Sequence, residues 1–504
     1  MPEYRIVEGL TTGLRRDSRQ NRNEQGLVEM SNLIPTEWGA KQVPRSITMP
    51  TGSSPIDYPT ISVTWPFPMV LHDSNNVLLC DRNAIYDGTV ETAIPLVGSF
   101  SLNSGANDTW EMASFEKDIW FLANGTYLVY KIPSNLSGYA DVVDGWRPRT
   151  VANYSGRLFL GGLSGSIPSK LTNFFEEWKK MDHSGVRTVG DDTDLNSSWL
   201  IYSAMGGGGR TVPFLDFMEM MDEYGGNTIS DALKSDMNSV IRDRLESGDI
   251  GFFPIRNKGT IHSIRPIGDL LMVYTDRGVS RIRMTESGLV EDDVYDVGVI
   301  TRHQVGGDIR EHIFVDDTSN LNRVDENGNV TRLGYDEYMI FVSGTGMLIS
   351  IDPIERFYSI CDGTYGFMLT RTGLCKTPCM MPTSLWRDGT LYGPTIETTG
   401  TAATIETDIF DGGYRGVHEV TFVRIAATDT IGWTVAVKWR MNKNDSFTTE
   451  TAVAFDDRGV ARVKTCGIEF KLLLTASNRA LADLERIEIE MQQDGKKKLR
   501  QLIA

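Results

Sequence analysis

The stretch SFEKDIWFLANGTYLVYKI, Ser114 to Ile132, decides how this chain is read. Ile119, Trp120, Phe121 and Leu122 form a short apolar run, and Tyr127 to Tyr130 form a second one. Aromatic and branched side chains suit a pleated, half-buried surface. Between the runs, Asn124-Gly125 is read as a two-residue hairpin loop, because both residue types tolerate positive φ. The unit is therefore strand, tight turn, strand.

The same unit recurs along the chain. NYSGRLFLGGLSGSI (Asn153 to Ile167) and PIGDLLMVYTDRGVSRIRM (Pro266 to Met284) each place a Gly or Asp before an apolar run, then a Gly-containing turn and a further strand. Looser copies lie at Pro68 to Gly88, Ile313 to Leu333 and Gly346 to Phe367. A hairpin repeated at blade-like spacing predicts a radially repeated β architecture, a β-propeller. The alternative is a set of unrelated hairpins in a sandwich. From Ala403 onward the pattern changes to longer alternating strands: HEVTFVRIAA, WTVAVKWRM, ARVKTCGIEFKLLLTA and LERIEIEM. Ile487, Ile489 and Met491 alternate there with Arg486, Glu488 and Glu490, which predicts an antiparallel C-terminal β-sandwich over 391–492.

Three regions depart from this theme. Residues 1–64 carry little periodicity and are punctuated by Pro35, Gly39 and Pro44. They are read as an extended N-terminal arm packed on another element, with a disordered leader as the alternative. Within the propeller of 65–390, the span Ser169 to Asp249 reads as a helical insertion. Leu171, Phe174, Phe175 and Trp178 fall at helical spacing; Pro213 to Tyr224 and about Ser230 to Ser247 are two more predicted helices. Asp216, Glu219, Asp222 and Glu223 gather on one face of the first of these two, a candidate channel or gate wall, though a solvated surface helix reads the same way. Gly206, Gly207, Gly208 and Gly209 form a candidate hinge, since four glycines in a row hold no conformation of their own. Residues 493–504 form a basic tail.

Length and charge narrow the function. The 504 residues carry a formal net charge of −17, and the isoelectric point is about 4.9. Gripping nucleic acid needs clustered Lys and Arg to displace counterions, so the balance disfavours a nucleic-acid-holding surface but not nucleic acid sliding past. Five cysteines do not make a disulfide framework. Cys375 and Cys379, with Cys361 upstream, lack a nearby fourth ligand and read as buried strand thiols rather than a metal site. The N-terminus has no basic and apolar leader, and no apolar run approaches the roughly 20 residues that span a bilayer. The expectation is a soluble protein made in the cytoplasm.

Catalytic patterns are sparse. His72, His183, His262, His303, His312 and His418 have no paired spacing, and neither HExxH nor GxSxG occurs. SLNSGANDTW, Ser101 to Trp110, faintly resembles the Asp-box turn of sialidases, but it occurs once. The expectation is no enzyme, no cofactor and no metal. The competing class is a propeller glycosidase with paired carboxylates, or a glycan-binding protein.

With these pieces in place, the chain resembles the tail hub, or nozzle, proteins of short-tailed bacteriophages. The opening SNLIPTEWGAKQVPRSI, with Asn32, Leu33, Pro35, Gly39 and Pro44, is similar to that family's segment before the first blade. GDIGFFPIRNKGTIHSIRPIGDLLMVYTDRGVSRIRM and GVITRHQVGGDIREHIFVDDTSNLNRVDENGNVTRLGYDEY resemble two successive blades, and IETDIFDGGYRGVHEVTFVRI resembles the closing domain. The resemblance implies a structural virion protein of the tail that forms a ring with itself, typically a hexamer, below a portal and adaptor. It implies tail fibres, spikes or a needle as further partners, and genomic DNA passing through during ejection without specific binding.

Overall fold

A computed structural model describes residues 3–7, 10–16, 26–42, 46–48, 69–72, 77–80, 85–87, 109–115, 119–131, 140–141, 147–164, 197–203, 205, 251–257, 259–286, 288–342, 344–351, 356–377, 385–387, 390–393, 402–411, 416–477 and 484–493. The fold is almost entirely β, built from many small sheets.

The second to fifth sheets are four-stranded antiparallel meanders whose strands pair in chain order, and the sixth is a like meander at one end of a ten-stranded sheet. The second holds Glu111–Phe115, Ile119–Ala123, Leu128–Lys131 and Ala140–Asp141. The third holds Thr150–Tyr154, Arg157–Gly161, Trp199–Tyr202 and Gly251–Pro254. The fourth runs from Ile261–Ile267 through Leu270–Thr275 and Val279–Thr285 to Gly288–Tyr295. The fifth spans Val305–Gly307, His312–Val315, Leu321–Val324 and Val330–Gly334. The sixth comprises Leu348–Ile351, Tyr358–Cys361, Gly366–Leu369 and Leu374–Thr377. A three-stranded first sheet precedes them, Met69–His72, Val77–Cys80 and Ile85–Asp87. In the seventh, Leu385–Arg387 and Thr390–Gly393 are joined by the distant Ser46–Thr48, which pairs parallel to Thr390–Gly393.

Successive sheets stack through their opening strands. The first strand of each of the first three sheets packs on the first strand of the next, and Val305–Gly307 packs on Leu348–Ile351. Each middle sheet is thus buried on both faces. In Leu270–Thr275, Leu271 and Val273 face the third sheet, packed with Phe159, Leu200 and Ile264. Met272 and Tyr274 face the fifth, packed with Phe314 and Val324. Tyr274 and Phe314 meet edge to face with ring centroids 5.4 Å apart. The Tyr274 hydroxyl bonds His312 Nδ1 at 2.9 Å, and His312 Nε2 lies 3.2 Å from the Pro266 carbonyl oxygen. Burial, reinforced by the Arg265 charge, drives the His312 pKa down to about 3.

The turns reuse one local device. At Asn124 the side-chain oxygen accepts the backbone N–H groups of Thr126 and Tyr127 at 2.9 and 2.7 Å. Asp308, Asp316, Asp325, Asp362 and Asp456 do the same at their own turns. This is the Asx preference for local backbone donors. It also corrects the two-residue loop expected at Asn124-Gly125: Ala123 pairs with Leu128, so the connection holds four residues, and only Gly125 of the pair takes positive φ. The two-residue loop is found instead at Ser155-Gly156, both at positive φ, between the paired Tyr154 and Arg157.

A further correction concerns the span 169–249. Trp199–Tyr202 lies inside it and is a strand, not a helix, paired with Arg157–Gly161 and Gly251–Pro254. A run of large apolar residues with Trp199 and Leu200 almost fully buried is better satisfied between two strands than on a helix face. The remaining helical expectations, with Gly206, Gly207, Gly208, Gly209, Asp216, Glu219, Asp222 and Glu223, lie outside the described residues, as does the basic tail.

The C-terminal strands form two larger sheets. His418–Ala427 lies between Val460–Gly467 and Leu484–Gln493 in one. Trp433–Arg440, Glu469–Ala476 and Ala403–Thr407 run through the other, which continues into the sixth meander. Val423 and Ile489 from the first, and Val435 and Leu472 from the second, belong to one core. The N-terminal stretch is extended and woven into both. Glu3–Ile6 and Gly39–Gln42 pair with Leu484–Gln493, and Leu27–Ser31 lies between Leu374–Thr377 and Ala403–Thr407. It runs so close to Gly373 that a Cβ there would collide with the Thr12 carbonyl. Cys80, Cys361 and Cys375 lie buried in strands, and burial pushes the Cys375 thiol up to about 12.

Candidate functional site

The opening strands of the stacked sheets enclose two neighbouring cavities. One, of about 360 Å³, is walled by Glu111 to Ser114, Val151 to Asn153, Ile264 to Pro266 and Leu348 to Ser350. The other, of about 440 Å³, is lined by Thr109, Asn124, Arg149, His262, Arg302 and Met347 among others. His303 and Leu348 line both, so the short Arg302–Gln304 turn stands between them.

Arg302 cross-links the sheets at this point. It is 7% exposed, and its guanidinium donates to Thr109 Oγ1 from Nε at 2.9 Å and from Nη2 at 2.8 Å. Nη1 donates to the Ala123 carbonyl at 3.4 Å and to the Arg149 carbonyl. These oxygens come from the segment leading into the second sheet, from that sheet itself and from the turn into the third. Several satisfied donors make a buried guanidinium tolerable. Nε also donates to His303 Nε2 at 3.0 Å, which requires an unprotonated ring nitrogen there. Burial, then Arg302 and Arg265, hold the His303 pKa well below its ordinary value. In the same cavity, burial and the Arg149 charge lower His262 to about 4, with Asp276 opposing.

Glu111 is the carboxylate of the smaller cavity. Arg265 Nη2 lies 3.3 Å from its Oε1, and Arg265 Nε donates to Ser263 Oγ at 3.2 Å. Glu111 Oε2 is buried and has no hydrogen-bond partner among the described residues, so a water or a polar ligand group in the cavity is its natural complement. The arrangement provides fixed donors, two neutral imidazoles and one arginine-paired carboxylate. Among the described residues no group of three or more His, Cys, Asp or Glu is placed to hold a metal, and no helix is long and apolar enough to cross a membrane.

The fold brings His262 and His303 to one cavity although no motif links them. His312 is a buried inter-sheet contact instead. Arg302, Arg265 and Glu111 carry no sequence signal, because each is a single charged residue whose partners come from other sheets. The quoted segment GVITRHQVGG holds Arg302 and His303 in a break between apolar runs, which is the one visible hint.

No protein-family model matches the sequence, and no curated protein matches it either. Similar solved structures include the extracellular domain of the BT4673 two-component system from B. thetaiotaomicron, at 10% identity and TM-score 0.34; the match covers 79% of this chain and 46% of that one. BamB from Moraxella catarrhalis matches at 8% identity and TM-score 0.30, over 67% of this chain and 90% of that one. The exo-β-1,3-galactanase of Phanerochaete chrysosporium, solved with β-1,3-galactotriose, matches at 9% and TM-score 0.26, over 77% and 96%. This chain thus spans under half the length of the first. None of the three is described as a phage protein, and at these scores the likeness assigns no activity.

Proposed function

We propose that this chain is a structural subunit of a virion tail, a hub or nozzle protein that assembles with copies of itself into a ring through which the genome passes. The observation that carries this reading is Trp38, 84% exposed at the tip of the hairpin formed by Leu33–Thr36 and Gly39–Gln42. The tip is rigid. The Trp38 N–H donates to Thr36 Oγ1 at 3.4 Å, and Thr36 Oγ1 donates to the Gly39 carbonyl at 3.2 Å. Gly39, at φ +144°, lies so close to Leu484 and Glu485 that a side chain there would collide with their backbone. A large indole held in water on a fixed support is the form of an interface anchor.

A second copy is the occupant that suits it. Ring contacts are head to tail and use two different patches. Ile431 at 70% exposure, and Phe341 packed on Tyr365 with centroids 6.1 Å apart, supply further exposed apolar surface. The net charge of −17 supports a conduit that repels DNA rather than holding it.

The finer architecture belongs to the same reading. The seven sheets are blades of a β-propeller, closed where Ser46–Thr48 completes the last one, and the two C-terminal sheets form a β-sandwich. Portal-adaptor and appendage proteins are the remaining partners.

Light scattering on the purified chain, alone and with an adaptor-like partner, tests the proposal. A closed ring is expected, and Trp38→Ala shifts it toward monomer. A monomer under every condition, together with release of reducing sugar from glycans, overturns it in favour of a glycan-acting propeller. That chemistry needs two carboxylates about 5–10 Å apart.

A further inference from the structure

A third cavity, of about 590 Å³, opens between the fifth and sixth sheets. The N-terminal stretch forms part of its wall, where the Tyr335 N–H donates to the Arg16 carbonyl at 2.9 Å and the Leu14 N–H to the Leu374 carbonyl at 2.8 Å. Five arginines converge on it: Arg16, Arg310, Arg323, Arg356 and Arg371. They come from five separate places in the chain, in a protein whose net charge is −17.

Of the three acids that line this cavity, Glu311 and Asp325 are already engaged, and the third, Glu326, is exposed at the rim. Glu311 receives Arg356 Nη2 at 2.9 Å, Arg323 Nη2 at 2.6 Å and the Tyr358 hydroxyl at 3.0 Å. Asp325 is occupied by the backbone N–H groups of Asn327 and Asn329 and by the Asn329 side chain. Arg356 is 8% exposed, spans from Glu311 to Asp308, and sits at φ +61°, a left-handed conformation that a non-glycine residue adopts only when its surroundings impose it. Arg16, Arg310 and Arg371 are exposed and form no ion pair among the described residues. The cavity therefore has a braced, charge-neutralised floor and a rim of three unpaired guanidinium groups.

We propose that this cavity binds an oxyanion ligand, a small molecule carrying phosphate or carboxylate groups, clasped by Arg310, Arg371 and Arg16 over the Arg356–Glu311 floor. Guanidinium forks match both groups in bidentate geometry, and the volume lies in the range of small-molecule sites. The site is separate from the cavities around Arg302, and it stands whether or not the chain forms a ring.

Calorimetric titration of the full chain at low salt, with inorganic pyrophosphate and separately with citrate, tests the proposal. Saturable binding at one site per chain is expected for at least one probe; pyrophosphate alone points to phosphate, citrate alone to carboxylate. The Arg310→Gln/Arg371→Gln double variant is expected to weaken that binding by tenfold or more, about the worth of one lost charge-assisted hydrogen bond, with its melting curve unchanged. Arg424→Gln, an exposed arginine on the C-terminal sheet, is expected to leave it unchanged. No saturable heat with either probe at millimolar concentration overturns the proposal. So does binding that survives the double variant, or that falls equally with Arg424→Gln.

Discussion

The strands Leu270–Thr275 and Leu484–Gln493 both lie inside antiparallel sheets, yet they are written in different periods. LLMVYT is apolar almost throughout, because Leu271 and Val273 pack on one neighbouring sheet while Met272 and Tyr274 pack on the other. LERIEIEM alternates: Ile487, Ile489 and Met491 are buried, while Glu485 and Arg486 face water. A sheet covered on both faces needs apolar residues at every position, and a sheet covered on one face needs them at every second position. Glu490 is the exception, a buried acid that the alternating pattern would send outward; Thr421 Oγ1 donates to it at 3.0 Å.

The comparison breaks most directly by truncating adjacent residues. Leu271→Ala and Met272→Ala are each expected to destabilise the protein by about 2–5 kcal/mol, since both leave cavities. In the C-terminal sheet Ile489→Ala is expected to do the same, while Glu488→Ala stays within about 0.5 kcal/mol. Urea midpoints at unchanged slope measure the four effects. Equal losses at Ile489 and Glu488 would show that the outer face is covered too.

A smaller effect comes from acid. His312 is held neutral between the fourth and fifth sheets, with its folded pKa near 3, whereas the unfolded ring takes up its proton near pH 6.5. The unfolded state therefore binds more protons between these values. Stability is full above about pH 6.5 and falls as pH drops, by about 1.4 kcal/mol per pH unit for this histidine. His262 and His303 act in the same direction. Chemical denaturation between pH 7 and 5 should show the slope, and His312→Asn should flatten it by one histidine's share. The smallest effect belongs to the outer face of the C-terminal sheet. Arg486 and Glu488 pair at 2.9 Å with exposures of 54% and 24%, and Arg486→Gln is expected to change stability by less than about 0.5 kcal/mol, less still in high salt.

This difference in period also explains what could be read in advance. The hairpins of the first to sixth sheets and the C-terminal strands are visible because each pattern is local. HEVTFVRIAA coincides with the strand His418–Ala427. Glu3–Ile6 and Leu27–Ser31 within residues 1–64 are not visible, because they take their partners from the far end of the chain, although Leu33–Thr36 and Gly39–Gln42 pair locally as a hairpin. Trp199–Tyr202 is short and surrounded by helical patterns, so its place in the third sheet rests on pairing rather than on local sequence. The Arg302 cross-link and the arginine-lined cavity escape for a related reason: single cations become a site only when the sheets stack. The acidic residues singled out at 216–223 lie outside the described residues.

The pairing of Glu3–Ile6 with Leu484–Gln493 has a kinetic side. Glu3–Ile6 is synthesised long before its partner Leu484–Gln493, and Ser46–Thr48 likewise waits for Thr390–Gly393. The middle sheets can form from neighbouring segments as they emerge, but the two ends must wait, and closing so long a loop carries an entropic cost that local hairpins escape. Folding is therefore expected to run in two stages, a fast one in the meanders and a slow one that ties the ends. Until the slow stage finishes, the strand edges at both ends stay open to pairing with other chains.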